Sequence, residues 1–254
     1  MKIRIIPSSI EASEEMQYLT SYVINNNVAI DAGSLGIYSD PEFQNRISHI
    51  FLTHAHIDHV GSLPIFAENT YGRGQEGICV LGSAETLQTI RDNIFNDRIW
   101  PSFLLKPLDK GGYLKLEILK PEQPIHIHGL TFTAVAVEHK VATYGYIAED
   151  EKGAVVFGSD SGPTRRIWEI ARDLPRLKAV FLESSFPNDM NELAVATGHL
   201  TPTLLKKEAK KLPAKTRIIA THIKPNFRTR VVEELHNLEL SHLEIGSSGK
   251  EYIF

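Results

Sequence analysis

The sequence predicts a layered α/β fold in which two sheets pack against each other and helices cover their outer faces. Three observations predict it. Short apolar, strand-like runs recur along all 254 residues. The early runs come in hairpin-like pairs, whereas the later ones alternate with helical patterns. No internal repeat and no long Pro/Ser/Gly-rich linker divides the chain, so residues 1–254 read as a single domain.

The strand-like runs are 2–6, 20–24, 28–31, 47–52, 78–81, 113–119, 131–137, 143–148, 154–157, 179–182, 217–221 and 243–245. Asn25-Asn-Asn27 is a turn between two of them. Helical spacing of apolar residues covers 59–68, 84–93, 164–172, 202–211 and 226–238. Ser83 and Thr201 stand where N-caps belong, and Pro202 suits a first helical turn. Tyr71–Gly77 matches the letters of a dinucleotide-binding glycine motif, but it follows a helical pattern rather than a strand and reads as a surface loop.

Composition excludes several classes. With 42% hydrophobic and 23% charged residues, the chain resembles an ordinary globular protein, long enough to bury its core without staples. A net charge of −4 gives no sign of a surface that coats nucleic acid. The single cysteine, Cys79, excludes an internal disulfide framework and lies in an apolar run that reads as a buried, inert thiol. The opening Met1-Lys-Ile-Arg-Ile-Ile-Pro7 holds no apolar stretch of signal or membrane length, so the expected location is cytoplasmic.

The chemistry is concentrated in Thr53-His-Ala-His-Ile-Asp-His-Val-Gly61. His54, His56, Asp58 and His59 fall within six positions, at the end of the apolar run 47–53. Imidazole and carboxylate suit zinc and neighbouring transition metals. In an extended segment His54 and His56 point the same way, whereas the adjacent Asp58 and His59 diverge as the chain turns. One pair can hold one ion and the other a second. Three further strand ends carry ligand-type residues: His139, Asp160 in Phe157-Gly-Ser-Asp-Ser-Gly162, and His222.

In this order, His54-x-His56-x-Asp58-His59, His139, Asp160 and His222 resemble the metallo-β-lactamase superfamily, and Asp31 resembles its supporting aspartate after an early strand. The resemblance implies a four-layer αββα sandwich with two divalent ions at one edge. His54, His56 and His139 would bind one ion, Asp58, His59 and His222 the other, and Asp160 would bridge them. Zinc is expected, with manganese or iron compatible with the same donors.

The superfamily's β-lactamases typically carry cysteine in the Asp160 role, so β-lactam hydrolysis is disfavoured. Glu183 in Phe181-Leu-Glu-Ser-Ser-Phe-Pro-Asn188, followed by Gly198-His-Leu-Thr-Pro202 and Thr221-His-Ile-Lys-Pro225, is similar to the class II cyclic nucleotide phosphodiesterases of the phosphodiesterase branch. That resemblance implies a small phosphodiester substrate, a 3′,5′-cyclic nucleotide, hydrolysed to the 5′-nucleotide by attack of a hydroxide shared between the metals. Asp58 would orient the nucleophile, and His199, held by Glu183, would protonate the leaving alkoxide or clamp a phosphate oxygen. Lys224 would contact the phosphate.

A ribonuclease Z-like tRNA-processing enzyme is the first rival, but the sequence lacks a long Gly/Pro- and Lys-rich arm for gripping RNA. Hydrolysis of a sulfate ester or thioester, and a metal-binding scaffold without turnover, are the others. Members of this branch are often homodimers. Trp100, beside Pro101 and Phe103, belongs to the core or to a wall near the groove; His126 and His128 alternate on one strand face with nothing nearby to complete a second metal site, and His49, His236 and His242 have no motif around them.

Overall fold

The computed structural model describes residues 1–8, 16–38, 40–72, 77–104 and 113–254. Two seven-stranded sheets carry the fold. The first is built from β1 (Lys2–Ile5), β2 (Tyr22–Ile24), β3 (Val28–Ile30), β4 (His49–Phe51), β5 (Ile78–Gly82), β6 (Leu114–Ile118) and β14 (Glu251–Ile253), in the order β14-β1-β2-β3-β4-β5-β6. The second contains β7 (Ile125–Ile127), β8 (Leu130–Val137), β9 (Thr143–Asp150), β10 (Gly153–Phe157), β11 (Leu177–Glu183), β12 (Arg217–Thr221) and β13 (Leu243–Ile245), in the order β13-β12-β11-β10-β9-β8-β7. Each sheet has an antiparallel half and a parallel half. In the first, β3 to β6 run parallel. In the second, β10 to β13 do.

The layering follows from strand period two. Val155 and Phe157 of β10 enter the apolar layer between the sheets, where Phe51, Phe132 and Phe181 also pack. Their neighbours Ala154 and Val156 face the opposite way, toward Trp168, Leu205 and Leu235 of the helices α5 (Arg166–Asp173), α7 (Pro202–Ala209) and α8 (Arg228–His236). On the first sheet, Phe51 points inward while Ile50 meets Phe66 and Ile90 of α3 (Leu63–Thr70) and α4 (Ala84–Asn93). Strands with apolar residues on both faces require a cover on both faces, and the result is helix, sheet, sheet, helix as expected.

Asn25 and Asn26 adopt positive φ in the turn joining β2 to β3. Ser83 and Thr201 cap α4 and α7 by accepting hydrogen bonds from Thr86 and Leu204 amides. The expected helix over 59–68 is instead two, α2 (Ile57–Val60) and α3. A continuous helix would set Pro64, which has no N–H, against the Val60 carbonyl. The Ser62 hydroxyl between them donates to the Ala32 carbonyl and accepts from the Gly36 amide. The short elements β7, β14, α1 (Pro41–Gln44) and α6 (Asn191–Thr197) carry no sequence pattern long enough to predict them.

Trp100 packs with the apolar cluster beneath α3 and α4. Burial pushes the half-buried Cys79 thiol up to about 12, in keeping with an inert role. Tyr71 does follow a helix, while residues 73–76 of the glycine-rich segment lie outside the described residues.

Candidate metal centre

The carboxyl ends of β4, β8, β10, β11 and β12 meet at one edge of the sandwich. The loop after β4 supplies His54 and His56, and α2 supplies Asp58 and His59. His139 follows β8, Asp160 follows β10, Glu183 ends β11, and His222 follows β12. All seven expected ligands therefore come together, four from the first sheet and three from the second. Gly33 makes the close fit possible: a side chain there would fall 2.0 Å from the Asp58 carbonyl oxygen.

Two groups form. His54 Nε2 lies 3.0 Å from His56 Nδ1, which lies 3.3 Å from His139 Nε2. In the second group, His222 Nε2 lies 3.2 Å from Asp58 Oδ2 and 3.3 Å from His59 Nε2. Asp160 stands between the groups, with Oδ1 3.3 Å from His59 Nε2 and Oδ2 3.2 Å from His222 Nε2 and 3.9 Å from His54 Nε2. Zinc–nitrogen bonds of about 2.0–2.1 Å in a tetrahedron set neighbouring donors roughly 3.4 Å apart. The observed spacings suit that geometry.

The far sides of the rings explain why the donors face inward. Asp31 Oδ2 accepts from Thr53 Oγ1 at 2.9 Å and from His59 Nδ1 at 2.7 Å. Thr53 Oγ1, its proton committed to Asp31, accepts from His54 Nδ1 at 2.9 Å. The Gly198 carbonyl accepts from His139 Nδ1 at 2.8 Å. Ser185 Oγ donates to the His222 carbonyl and accepts from His222 Nδ1, both at 3.0 Å. Each anchored ring turns its Nε2 toward the imidazole nitrogens and carboxylate oxygens of its neighbours. A cation satisfies the lone pairs of such a cluster, so the residues fit a metal pair.

Electrostatics differ between the rings: burial would lower His59, but Asp160 and Asp31 outweigh it and raise that imidazole well above its ordinary range. Burial, more than any other influence, drives the fully enclosed His54 well down, in keeping with a neutral imidazole. Burial would raise the Asp58 carboxyl, but the His222 hydrogen bond and the nearby His59 and Lys224 hold it far below the usual range. Asp31, Ser159 and His222 all adopt left-handed backbone conformations, local strain concentrated at this edge.

Beside the metal groups lies the pair Glu183 and His199. Glu183 is 1% exposed and accepts four hydrogen bonds: from the amides of Ser161, Ser185 and Leu200, and from His199 Nδ1 at 2.7 Å. Burial favours a neutral His199, yet the Glu183 charge and hydrogen bond outweigh it and raise the imidazole. Ligand atoms of His139, Asp160 and His199 lie within 4.8 Å of one another, so the ring reaches the first group. Lys224 Nζ lies 3.4 Å from Asp58 Oδ2 and is one-third exposed. Thr53 and Ser185 were not singled out from the sequence. Their only signal is position, beside His54 and inside Glu183-Ser-Ser.

A model of the β-lactamase superfamily domain matches residues 26–223. The chain belongs to the β-lactamase superfamily. Among relatives of this superfamily hydrolase is a Yersinia pestis protein named "Probable 3′,5′-cyclic-nucleotide phosphodiesterase", 28% identical over 92% of this chain and 82% of that one. The structure of unliganded yeast PDE1 superposes with a TM-score of 0.80 at 19% identity, covering 100% and 99% of the two chains. The short form of human tRNase Z superposes at 0.71 and 15% identity, covering 100% and 99%. These likenesses establish the metallo-β-lactamase fold. Among the described residues no helix is long and apolar enough to cross a membrane.

Proposed function

We propose that this protein is a cytoplasmic, single-domain phosphodiesterase that uses two divalent ions, zinc by preference, to hydrolyse 3′,5′-cyclic nucleotides to 5′-nucleotides. One observation carries the reading: a buried carboxylate, Glu183, holds the His199 imidazole through a 2.7 Å hydrogen bond and raises its pKa, beside two groups of metal donors. An acid so placed suits a reaction with a poor leaving group, as an alkoxide expelled from phosphorus is. The named relative in Yersinia pestis supports the substrate class.

His54, His56 and His139 would hold one ion, and Asp58, His59 and His222 the other, with Asp160 shared. Bound ions supply Lewis acidity that makes water nucleophilic near neutral pH and offsets charge on the phosphoryl oxygens. The remaining work falls to side chains. Asp58, kept ionised by its neighbours, orients the attacking water and accepts its proton. His199 passes its Nε2 proton to the departing 3′ oxygen, and Glu183 fixes the ring through Nδ1 and stabilises its charge. Lys224 contacts a phosphoryl oxygen as a point charge.

The test is turnover by metal-reconstituted protein of cyclic AMP, cyclic GMP, bis(p-nitrophenyl) phosphate and a precursor tRNA. Hydrolysis of a cyclic nucleotide is expected. Cleavage of the tRNA alone would favour the ribonuclease Z-like reading, and turnover of a sulfate ester or thioester but no phosphodiester would favour the other rival. His199→Ala is expected to lower kcat by about 10²–10⁴-fold, the usual worth of general acid catalysis, with metal content intact. Unchanged kcat would remove His199 from the mechanism.

A further inference from the structure

Phe186 and Phe227 form an aromatic pair beside His199. The Phe186 ring meets the His199 ring at 5.6 Å and 67°, and the Phe227 ring lies 5.9 Å from that of Phe186. Both phenylalanines are half-buried. Phe227 packs on the apolar layer of α7 and α8, whereas Phe186 joins none of the three apolar clusters of the described residues. A ring that the core does not claim, set beside a reaction centre, is free to meet a ligand. We infer that Phe186 is the platform on which the substrate's nucleobase stacks, with Phe227 as its backing, an inference that rests on the phosphodiesterase reading above.

Two links connect this ring to the place of the phosphate. The first is His199 itself. Its ring stands 5.0 Å from that of His139 and is stacked at 5.8 Å on that of His222, one ligand ring from each metal group. The second is Lys224, the cation assigned to a phosphoryl oxygen. Its backbone N–H donates to the Ser185 carbonyl at 3.4 Å, and its carbonyl accepts from the Phe227 amide at 2.9 Å. The platform is also fixed in place. The Phe186 amide donates to the Leu200 carbonyl at 3.3 Å, while Asn188 donates its amide to Glu234 and accepts from the Thr203 amide, both at 2.8 Å. A ring already ordered costs little further entropy when a base settles on it.

In-line displacement decides which side the nucleoside takes. The attacking and departing oxygens lie on opposite sides of phosphorus. Asp58 serves the nucleophile and His199 the 3′ oxygen. The ribose that carries this oxygen, and the base with it, therefore extend on the His199 side. Tyr18 is another aromatic residue near the centre, 54% exposed, but it shares a recess with Asp58, on the nucleophile's side. Phe186 stands against the ring that delivers the proton. Every base has a π-face, so a phenyl platform holds it without matched donors or acceptors.

The first readout is the ratio of kcat/KM for cyclic AMP to kcat/KM for methyl p-nitrophenyl phosphate, a diester without a base. Phe186→Leu removes the ring and keeps apolar bulk, and its ratio is expected to fall about fivefold or more, the lower end of one base–aromatic stack. Phe186→Tyr keeps a ring and should hold the ratio within about twofold of wild type. Mere packing against His199 would slow both substrates together in Phe186→Leu; that unchanged ratio overturns the platform, and so does a fall that Phe186→Tyr shares in full. A fall in Tyr18→Leu as large as in Phe186→Leu also overturns it, since the base would then lie on the nucleophile's side. The second readout is binding of adenosine 5′-monophosphate to the metal-loaded protein by equilibrium dialysis, which needs no turnover. Affinity weakened about fivefold or more in Phe186→Leu supports the platform even if cyclic nucleotides prove not to be substrates. Hydrolysis of cyclic AMP by the wild type, with equal nucleotide affinity in wild type and Phe186→Leu, keeps the phosphodiesterase reading and overturns the platform.

Discussion

Strand β4 has histidines at both ends, and the two ends are built differently. At its start, His49 Nδ1 and His128 Nε2 lie 2.8 and 2.7 Å from one Ser48 hydroxyl, with the rings edge-on at 5.3 Å. That hydroxyl can donate to one ring and accept from the other, so the two facing nitrogens are satisfied by protein alone. Beyond its end, His54 and His59 have their outer nitrogens held by Thr53 and Asp31, and their inner nitrogens crowd together with other imidazoles and the Asp160 carboxylate. The difference teaches that a metal centre is recognised by what stands behind the rings. Histidine number alone does not distinguish the two ends.

Four substitutions break or sharpen that contrast. The largest effect is expected from His54→Ala, which removes a fully buried donor. Bound metal, read by elemental analysis, should fall by at least one equivalent, and turnover should drop by more than the roughly 10–100-fold typical of supporting residues. Retention of both ions would break the assignment. Asp31→Asn keeps the shape but loses the charge behind His59, and metal affinity should weaken about 10–100-fold in a chelator competition.

Glu183→Gln acts on proton delivery. Glu183 favours the charged imidazole and so raises His199 against the opposing effect of burial. Activity that needs this proton is present below the raised pKa and declines as pH rises through it. Without the Glu183 charge, the alkaline fall of kcat should move to lower pH; a fall that stays in place or moves up contradicts the assignment. The smallest effect belongs to His128→Asn, since asparagine tolerates the left-handed conformation found there (φ 49°). It should cost about 1 kcal/mol in denaturant unfolding, one hydrogen bond's worth, with metal content unchanged. A metal loss matching that of His54→Ala would erase the distinction between the two ends.

The metal ligands were legible because four of them crowd into 54–59 and the rest follow strand-like runs, where carboxyl ends converge in parallel sheets. The layering was legible in the early hairpin-like pairs of strands and the later strands that alternate with helical patterns. Supporting residues were harder to see. Thr53 and Ser185 are common polar residues whose importance comes from a commitment to two partners each, visible only after folding. The break between α2 and α3 depends on Ser62 binding Ala32 and Gly36, contacts about 30 residues distant. α6, Asn-Glu-Leu-Ala-Val-Ala-Thr, is too short for helical spacing to stand out, yet its end places His199.

The metal groups draw four ligands from the loop and helix that follow β4 of one sheet and three from strand ends of the other. Neither sheet alone owns a complete set, so an ion bound here acts as a clasp across the sandwich. Its affinity becomes mechanical coupling between the two halves: at a free metal concentration 1,000 times Kd, binding adds about 4.1 kcal/mol to the folded state. Chelation should then lower Tm and loosen first the edge where the sheets are joined. Metal uptake in turn reports that the two sheets have already docked in register, so a loaded centre is a seal of correct assembly as well as a tool for hydrolysis.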